Sequence, residues 1–318
     1  MMTGHLEILG EIDLAQFWPV GESDGDTVHV TLAPNAFRFR ASPGHTTMTT
    51  HAFDHAIGAH KKPLVSNGRI TIRLQGIDAP ELHYSAALKG TVNFRQYQGE
   101  TSAVQLAQRL HRSGKPTVTC RVVTAVDLPN DAVDAYGRFV GDIVLEEGGT
   151  EVNINDWMLE NGWAFPAFYD SMTPAEITRM TGAAKKAETQ QLGIWKFYTS
   201  VIGPLDWNLV FRRSGPPLPN KDHGPVIFPK LFRRLCVYGV RVKTQNLKGS
   251  FTTFLANLKP QDYCHLTADF LKTGAAKATQ KRLSQFVPNQ FKARPDGLVF
   301  SEKPSTIVDG QNKPIKSW

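Results

Sequence analysis

Arg69-Ile70-Thr71-Ile72-Arg73-Leu74-Gln75-Gly76-Ile77-Asp78-Ala79-Pro80-Glu81 alternates polar and apolar side chains over its first six positions and breaks at Gln75-Gly76. The alternation predicts a half-buried strand over 69–74. Pro80 fixes its own backbone and holds the preceding residue extended. Asp78 and Glu81 are therefore kept close together at the strand end, with Arg73 five residues upstream on the strand. A guanidinium offers a planar fork to a phosphate. Carboxylate oxygens suit a hard divalent cation, and a second carboxylate can take a proton from an attacking water. Taken alone, the same residues would equally make a salt-bridged surface turn.

Working outward, residues 16–32 read as two strands with a turn at Asp24-Gly25-Asp26. Residues 33–68 lack a period and are rich in His, Thr, Pro and Gly. They read as an insertion outside the core, with a short helix over 51–59, and deleting residues 35–67 is expected to leave the fold intact. His51 and His55 would share a face of that helix, as zinc ligands can, with His45 and His60 nearby, but a polar surface loop is the plainer reading. Downstream, Ala103, Leu106, Ala107 and Leu110 fall on one face of a helix over 99–112. Strands are expected over 117–123 and 139–145, and helices over 152–160 and 174–191. Five strands with a helix after the third predict a β-barrel with helices, a small closed barrel of the OB-fold type, in an α+β domain.

Two further motifs bracket the central one. Asp24-Gly25-Asp26-Thr27 lies upstream and Tyr136-Gly137-Arg138 lies downstream. With Arg73, Asp78, Pro80 and Glu81 between them, the ordered set resembles the staphylococcal nuclease (thermonuclease) family, and Gly193-Ile194-Trp195 resembles the close of that family's last helix. The resemblance covers about residues 16–195. It implies an OB-fold and hydrolysis of DNA or RNA phosphodiesters, usually with calcium. Carried over, Asp26 and Asp78 resemble the metal-ligating carboxylates, with the backbone carbonyl of Ala79 as a further ligand. Glu81 resembles the residue that activates water, and Arg73 and Arg138 resemble the two catalytic arginines. The ligand types alone would equally accept magnesium or manganese. Ala79 stands where the family's best-known member has threonine. Tyr136, Phe168 and Tyr169 are the candidates for contact with substrate, since an aromatic face stacks on any base. Trp163 and Phe165 read as core.

The chain of 318 residues carries a formal charge of +7, a modest excess that favours a polyanionic partner such as DNA or RNA. Cys120, Cys236 and Cys264 form no paired motif and read as reduced, buried thiols. The first residues lack a signal pattern, and no apolar run reaches membrane-spanning length, so the expected location is cytoplasmic.

Residues 1–200 are expected to form the nuclease-like domain, 201–230 a Pro/Gly-rich linker, and 231–318 a smaller α+β domain of unknown role. In the last, 235–243 reads as strand and 266–286 as helix, with Lys277, Lys281 and Arg282 clustered on it. Lys230, Arg233 and Arg234 stand among Phe228, Leu231 and Phe232. That pattern suits either nucleic-acid binding or an ordinary core with a solvated face. The leading expectation is a metal-dependent nuclease, an endonuclease of low sequence specificity. The alternative is a non-catalytic module of the same fold that binds nucleic acid or protein.

Overall fold

The computed structural model describes residues 4–41, 53, 56–58, 61–86, 92–126, 128–212, 222–302 and 305–316. Its main sheet has six strands: β1 (Gly4–Asp13), β2 (Thr27–Ala41), β3 (Arg69–Leu74), β4 (Thr117–Ala125), β5 (Phe139–Glu147) and β6 (Thr150–Asn153). Their order is β3-β2-β1-β4-β5-β6, and β3 also pairs with β5. The pairings therefore run from β1 through β2, β3, β5 and β4 back to β1. The β3–β5 pair is parallel and the rest are antiparallel. Every other residue of β3 and β5 points inward: Ile70, Ile72 and Leu74 meet Phe139, Ile143 and Leu145 in one core.

Four helices fix this sheet to the rest of the chain: α1 (Gly99–Leu110), α2 (Ile154–Glu160), α3 (Pro174–Thr189) and α4 (Pro229–Gln245). Asn153 caps α2 by accepting from the N–H of Asp156. Thr173 and Glu176 cap α3 reciprocally. Buried Asn155 donates to the carbonyls of Gln75 (2.9 Å) and Gly141 (3.2 Å), which ties the loop after β3 to β5. Gly76 turns that loop at φ +71°, and a side chain there would run into Met180.

Several expectations are corrected. The strand preceding β2 is β1, at residues 4–13; residues 17–26 form turns with one bridge, Phe17 to Ser23. The alternation of Leu6, Ile8 and Ile12, all buried, carries the signal for β1. The proposed insertion does not begin at Ala33, because β2 continues to Ala41 against β1. Nor is the segment outside the core. Phe37, Phe53 and Leu64 are buried, and Phe53 stacks on Phe37 at 5.0 Å and meets Phe139 edge-on at 5.6 Å. Removing residues 35–67 would empty this part of the core. His45, His51, His55 and His60 lie outside the described residues.

Residues 235–243 are helical, not extended. The β-branched residues there suggested a strand, but Phe228, Leu231, Phe232, Leu235, Cys236 and Val240 recur at helical spacing and are buried. The helix expected over 266–286 is only Thr267–Thr273. Lys281–Arg282 is a short strand, so the three basic residues do not share a helix.

The segment after residue 200 packs against the first 200 residues. Phe168–Tyr169 pairs in parallel with Leu298–Phe300. Phe165 meets Trp195, Tyr198 and Phe228 at ring-centroid distances of 5.0, 5.3 and 6.2 Å. Asp222 is fully buried and accepts from Arg95 at 2.5 Å and from the Thr101 hydroxyl at 3.0 Å. Cys120, Cys236 and Cys264 are free thiols, all buried. Among the described residues no helix is long and apolar enough to cross a membrane.

Candidate functional site

Strand register brings the three motifs together. Arg73 on β3 faces Thr27 across one edge and Val140 across the other. Thr27 ends the Asp24–Thr27 motif, and Val140 lies two residues beyond Arg138. Residues two apart on a strand share a face. Arg73 and Arg138 thus lie on the same outward face, with Asp26 beside them, because β3 is the shared neighbour of β2 and β5.

The central motif then leaves β3 and adds a second short pairing. Ile77–Asp78 runs antiparallel to Phe165–Pro166. Asp78 is 1% exposed, so its carboxylate is taken out of water and must be compensated. Arg73 Nη2 donates to its Oδ1 at 3.3 Å. Arg233, from α4, donates through Nη1 to Oδ1 at 3.0 Å and through Nη2 to Oδ2 at 2.8 Å. The same Nη1 also donates to Oε1 of Glu81. Burial alone would raise the pKa of Asp78, but Arg233 and Arg73 outweigh it and hold the group below the usual carboxylate range. Glu81 shifts the other way: burial raises its pKa despite Arg233. Asp26 is pushed up to about 8 by burial and by the charges of Asp24 and Asp78.

Arg138 is held from behind by Asp134, through Nε at 2.8 Å and Nη2 at 2.8 Å, and its Nη1 donates to the Thr27 hydroxyl at 3.2 Å. These groups border a cavity of about 550 Å³. Asp26, Arg73, Glu81 and Arg138 line it together with Lys230, Arg233 and Arg234 of α4. Tyr169 also faces it, with Arg73 at 5.9 Å and Lys230 at 5.4 Å from its ring. Tyr136 stands at the rim, 80% exposed, under the guanidinium of Arg138 at 5.6 Å.

Not every expected residue reaches the cavity. Phe168 is fully buried in the core, so it has no face to offer a base. Its neighbour Tyr169 is the one that points outward. Ala79 is also buried, and its N–H donates to Oδ2 of Asp26 at 3.4 Å.

The residues named for a metal do not assemble a donor set in this arrangement. Both oxygens of Asp78 and one of Glu81 are taken by Arg233. Among the described residues no group of three or more His, Cys, Asp or Glu side chains gathers to hold an ion. Arg233 was visible in the sequence as part of a basic, aromatic stretch. Its place at the site was not, because the contact spans 155 residues and joins two segments with no shared motif.

Closed strand pairings and flanking helices make an α+β domain whose cavity is lined by arginines and carboxylates. Residues 71–197 match the family described as Staphylococcal nuclease homologue. The matched stretch carries Arg73, Asp78, Glu81, Arg138 and Tyr169; the region beyond it, with Arg233, matches no family. No curated protein matches the chain.

Proposed function

We propose that this chain hydrolyses phosphodiester bonds of DNA or RNA with little selectivity for sequence. The observation that carries the reading is the convergence of Arg73, Arg138 and Glu81 on one cavity, the arginines through the register of β3 and β5, with all three residues inside the stretch 71–197 that matches the nuclease family. In this reading the closed ring of β1 to β5 is an OB-type barrel. Arg73 and Arg138 present guanidinium forks to the non-bridging phosphate oxygens, where charge builds up as water attacks phosphorus. Glu81 orients that water and accepts its proton, while the P–O bond to the leaving sugar oxygen breaks and that oxygen takes a proton from solvent. Tyr169 supplies a stacking face for a base, and Lys230, Arg233 and Arg234 of α4 add positive charge to the same cavity. The sequence is not read, because the groups on the cavity address phosphate and ring faces rather than base edges. The calcium ion implied by the resemblance would need carboxylates that Arg233 engages, so these roles rest on side chains alone.

A second reading is favoured by one observation. With Arg233 laid across Asp78 and Glu81, the site suits a module that binds nucleic acid without cutting it. Cleavage of single-stranded DNA and of RNA by wild type, Glu81→Gln and Arg138→Ala separates the two. The nuclease reading expects cutting by wild type and a loss of about 10²- to 10⁴-fold in Glu81→Gln. Retained binding with no cutting by wild type under any condition would leave the binding module.

A further inference from the structure

Arg233 does not reach the site from a loose surface position. It sits in the second turn of α4, a helix whose Leu231, Phe232, Leu235 and Cys236 are buried. Phe228, just before the helix, stacks on Phe291 at 5.8 Å and on Phe300 at 6.1 Å. The next residue, Arg234, is fixed on its own side by a two-pronged contact with Asp262, 2.6 Å at each prong. The backbone that carries Arg233 is therefore set by packing, and its guanidinium is aimed at the carboxylates.

The local charges are also matched. Asp78 and Glu81 face Arg73 and Arg233, two negative groups against two positive ones. Arg138 has its own partner in Asp134. A divalent ion on Asp78 would have to displace the fork of Arg233 and then sit beside it. Two cations competing for one carboxylate are negatively coupled.

We propose that Arg233 is a built-in cation of this site, holding both oxygens of Asp78, a carboxylate that a bound divalent metal would need, together with the neighbouring Glu81. The chain accordingly binds no divalent ion there while Arg233 is present, and its handling of phosphodiesters is independent of such ions. The second half of that statement rests on the function proposed above; the first does not. Arg233 supplies fixed positive charge beside the scissile phosphate without an exchangeable ion, as arginines do elsewhere in phosphoryl chemistry. Arg233 acts on Asp78 and Glu81, so it is a positioning residue for them.

The test is direct metal binding by the full-length chain, read by calorimetry with Ca²⁺ and by Mn²⁺ paramagnetic resonance. Wild type, Arg233→Lys, Arg233→Gln and Arg233→Gln/Asp78→Asn are compared, each checked for a cooperative melt. Wild type and the lysine variant should bind weakly or not at all. Arg233→Gln should gain affinity by about tenfold or more, the scale of a direct coupling between two occupants of one site. Adding Asp78→Asn should abolish the gain. Equal affinity in wild type and Arg233→Gln would overturn the proposal, as would a folded Arg233→Gln that gains nothing. In parallel, wild-type cleavage of single-stranded DNA should be unchanged by chelator. Cleavage only with added metal would also overturn it. Absence of cleavage in every condition would sink the nuclease reading, while the binding comparison would still decide the place of Arg233.

Discussion

Asp134 holds Arg138 by both side chain and backbone: Oδ2 accepts from the arginine Nε at 2.8 Å, and Oδ1 accepts from its N–H at 3.0 Å. Oδ1 also accepts from the N–H of Tyr136 at 2.9 Å. One carboxylate thus fixes the turn through Tyr136-Gly137-Arg138 and the direction of the guanidinium. The Nη1 side of Arg138, which also donates to the Thr27 hydroxyl, borders the cavity. Asp134→Ala is expected to keep the fold and lower turnover on single-stranded DNA by about 10²-fold, the scale of a small misplacement of a catalytic group. Asp134→Asn should lie between the two, since it can still accept from the backbone. Steady-state kcat and KM are the measurement. Unchanged kcat in Asp134→Ala would mean that Arg138 does not need this support.

Phe53 belongs to a segment that looks dispensable in the sequence. It packs between Phe37 and Phe139 and is 1% exposed. Truncating a buried phenylalanine costs about 3–5 kcal/mol in lost burial and cavity formation. Phe53→Ala should therefore lower the urea midpoint strongly, with the slope unchanged. A cost below about 0.5 kcal/mol, as for a surface position, would mean that the segment around Phe53 does not contribute to the core.

How much of this was legible differs from place to place. The outline of β3, α1, β5 and α3 follows from alternation and helical spacing, and the motif residues Asp26, Arg73, Glu81 and Arg138 are indeed neighbours. Sequence order could not tell that β3 lies between β2 and β5, because the β3–β5 pairing is parallel and joins Arg73 to Val140, 67 positions further on. Phe37 and Phe53 were missed for a different reason. They pack as isolated aromatics from an aperiodic stretch, where the main signal for a buried face, periodicity, is missing. Arg233 fell between two difficulties. Its helix has β-branched residues that mimic a strand, and its partners Asp78 and Glu81 lie far away in a segment with its own complete motif.

Asp142 gives the fold a pH dependence of defined sign. Burial raises its pKa to about 6, against the lowering pull of Arg179 and a hydrogen bond from Asn153. The unfolded chain loses this proton at a lower pH than the folded one. The contribution of Asp142 to stability is therefore fully present below about 4 and is lost as pH rises through about 6. The loss is at most about 3 kcal/mol, given about 1.4 kcal/mol for each pKa unit. Asp142→Asn should remove this part of the trend, so its melting temperature relative to wild type should rise between pH 4 and pH 7. Each kcal/mol corresponds to about 2–4 °C. Parallel curves for the two proteins would contradict the raised pKa.

Tyr169 and Phe168 are adjacent, yet their side chains answer to opposite environments. Phe168 is sealed in the core, while the ring of Tyr169 lies on the cavity between Arg73 and Lys230. Strand alternation explains the difference: in the pairing with Leu298–Phe300, successive side chains must point to opposite sides. Only one of the two can meet a nucleotide. Base stacking on an aromatic side chain contributes about 1–3 kcal/mol, so Tyr169→Ala should raise KM for a single-stranded oligonucleotide by about 10- to 100-fold. Tyr169→Phe should keep most of the affinity, because the ring is retained. Phe168→Ala should behave differently, costing about 3–5 kcal/mol of stability with little change in KM for the protein that remains folded. Binding by fluorescence anisotropy, with thermal melts of the same samples, separates the two effects. If Phe168→Ala weakened binding at full stability while Tyr169→Ala did not, the stacking face would have been assigned to the wrong aromatic.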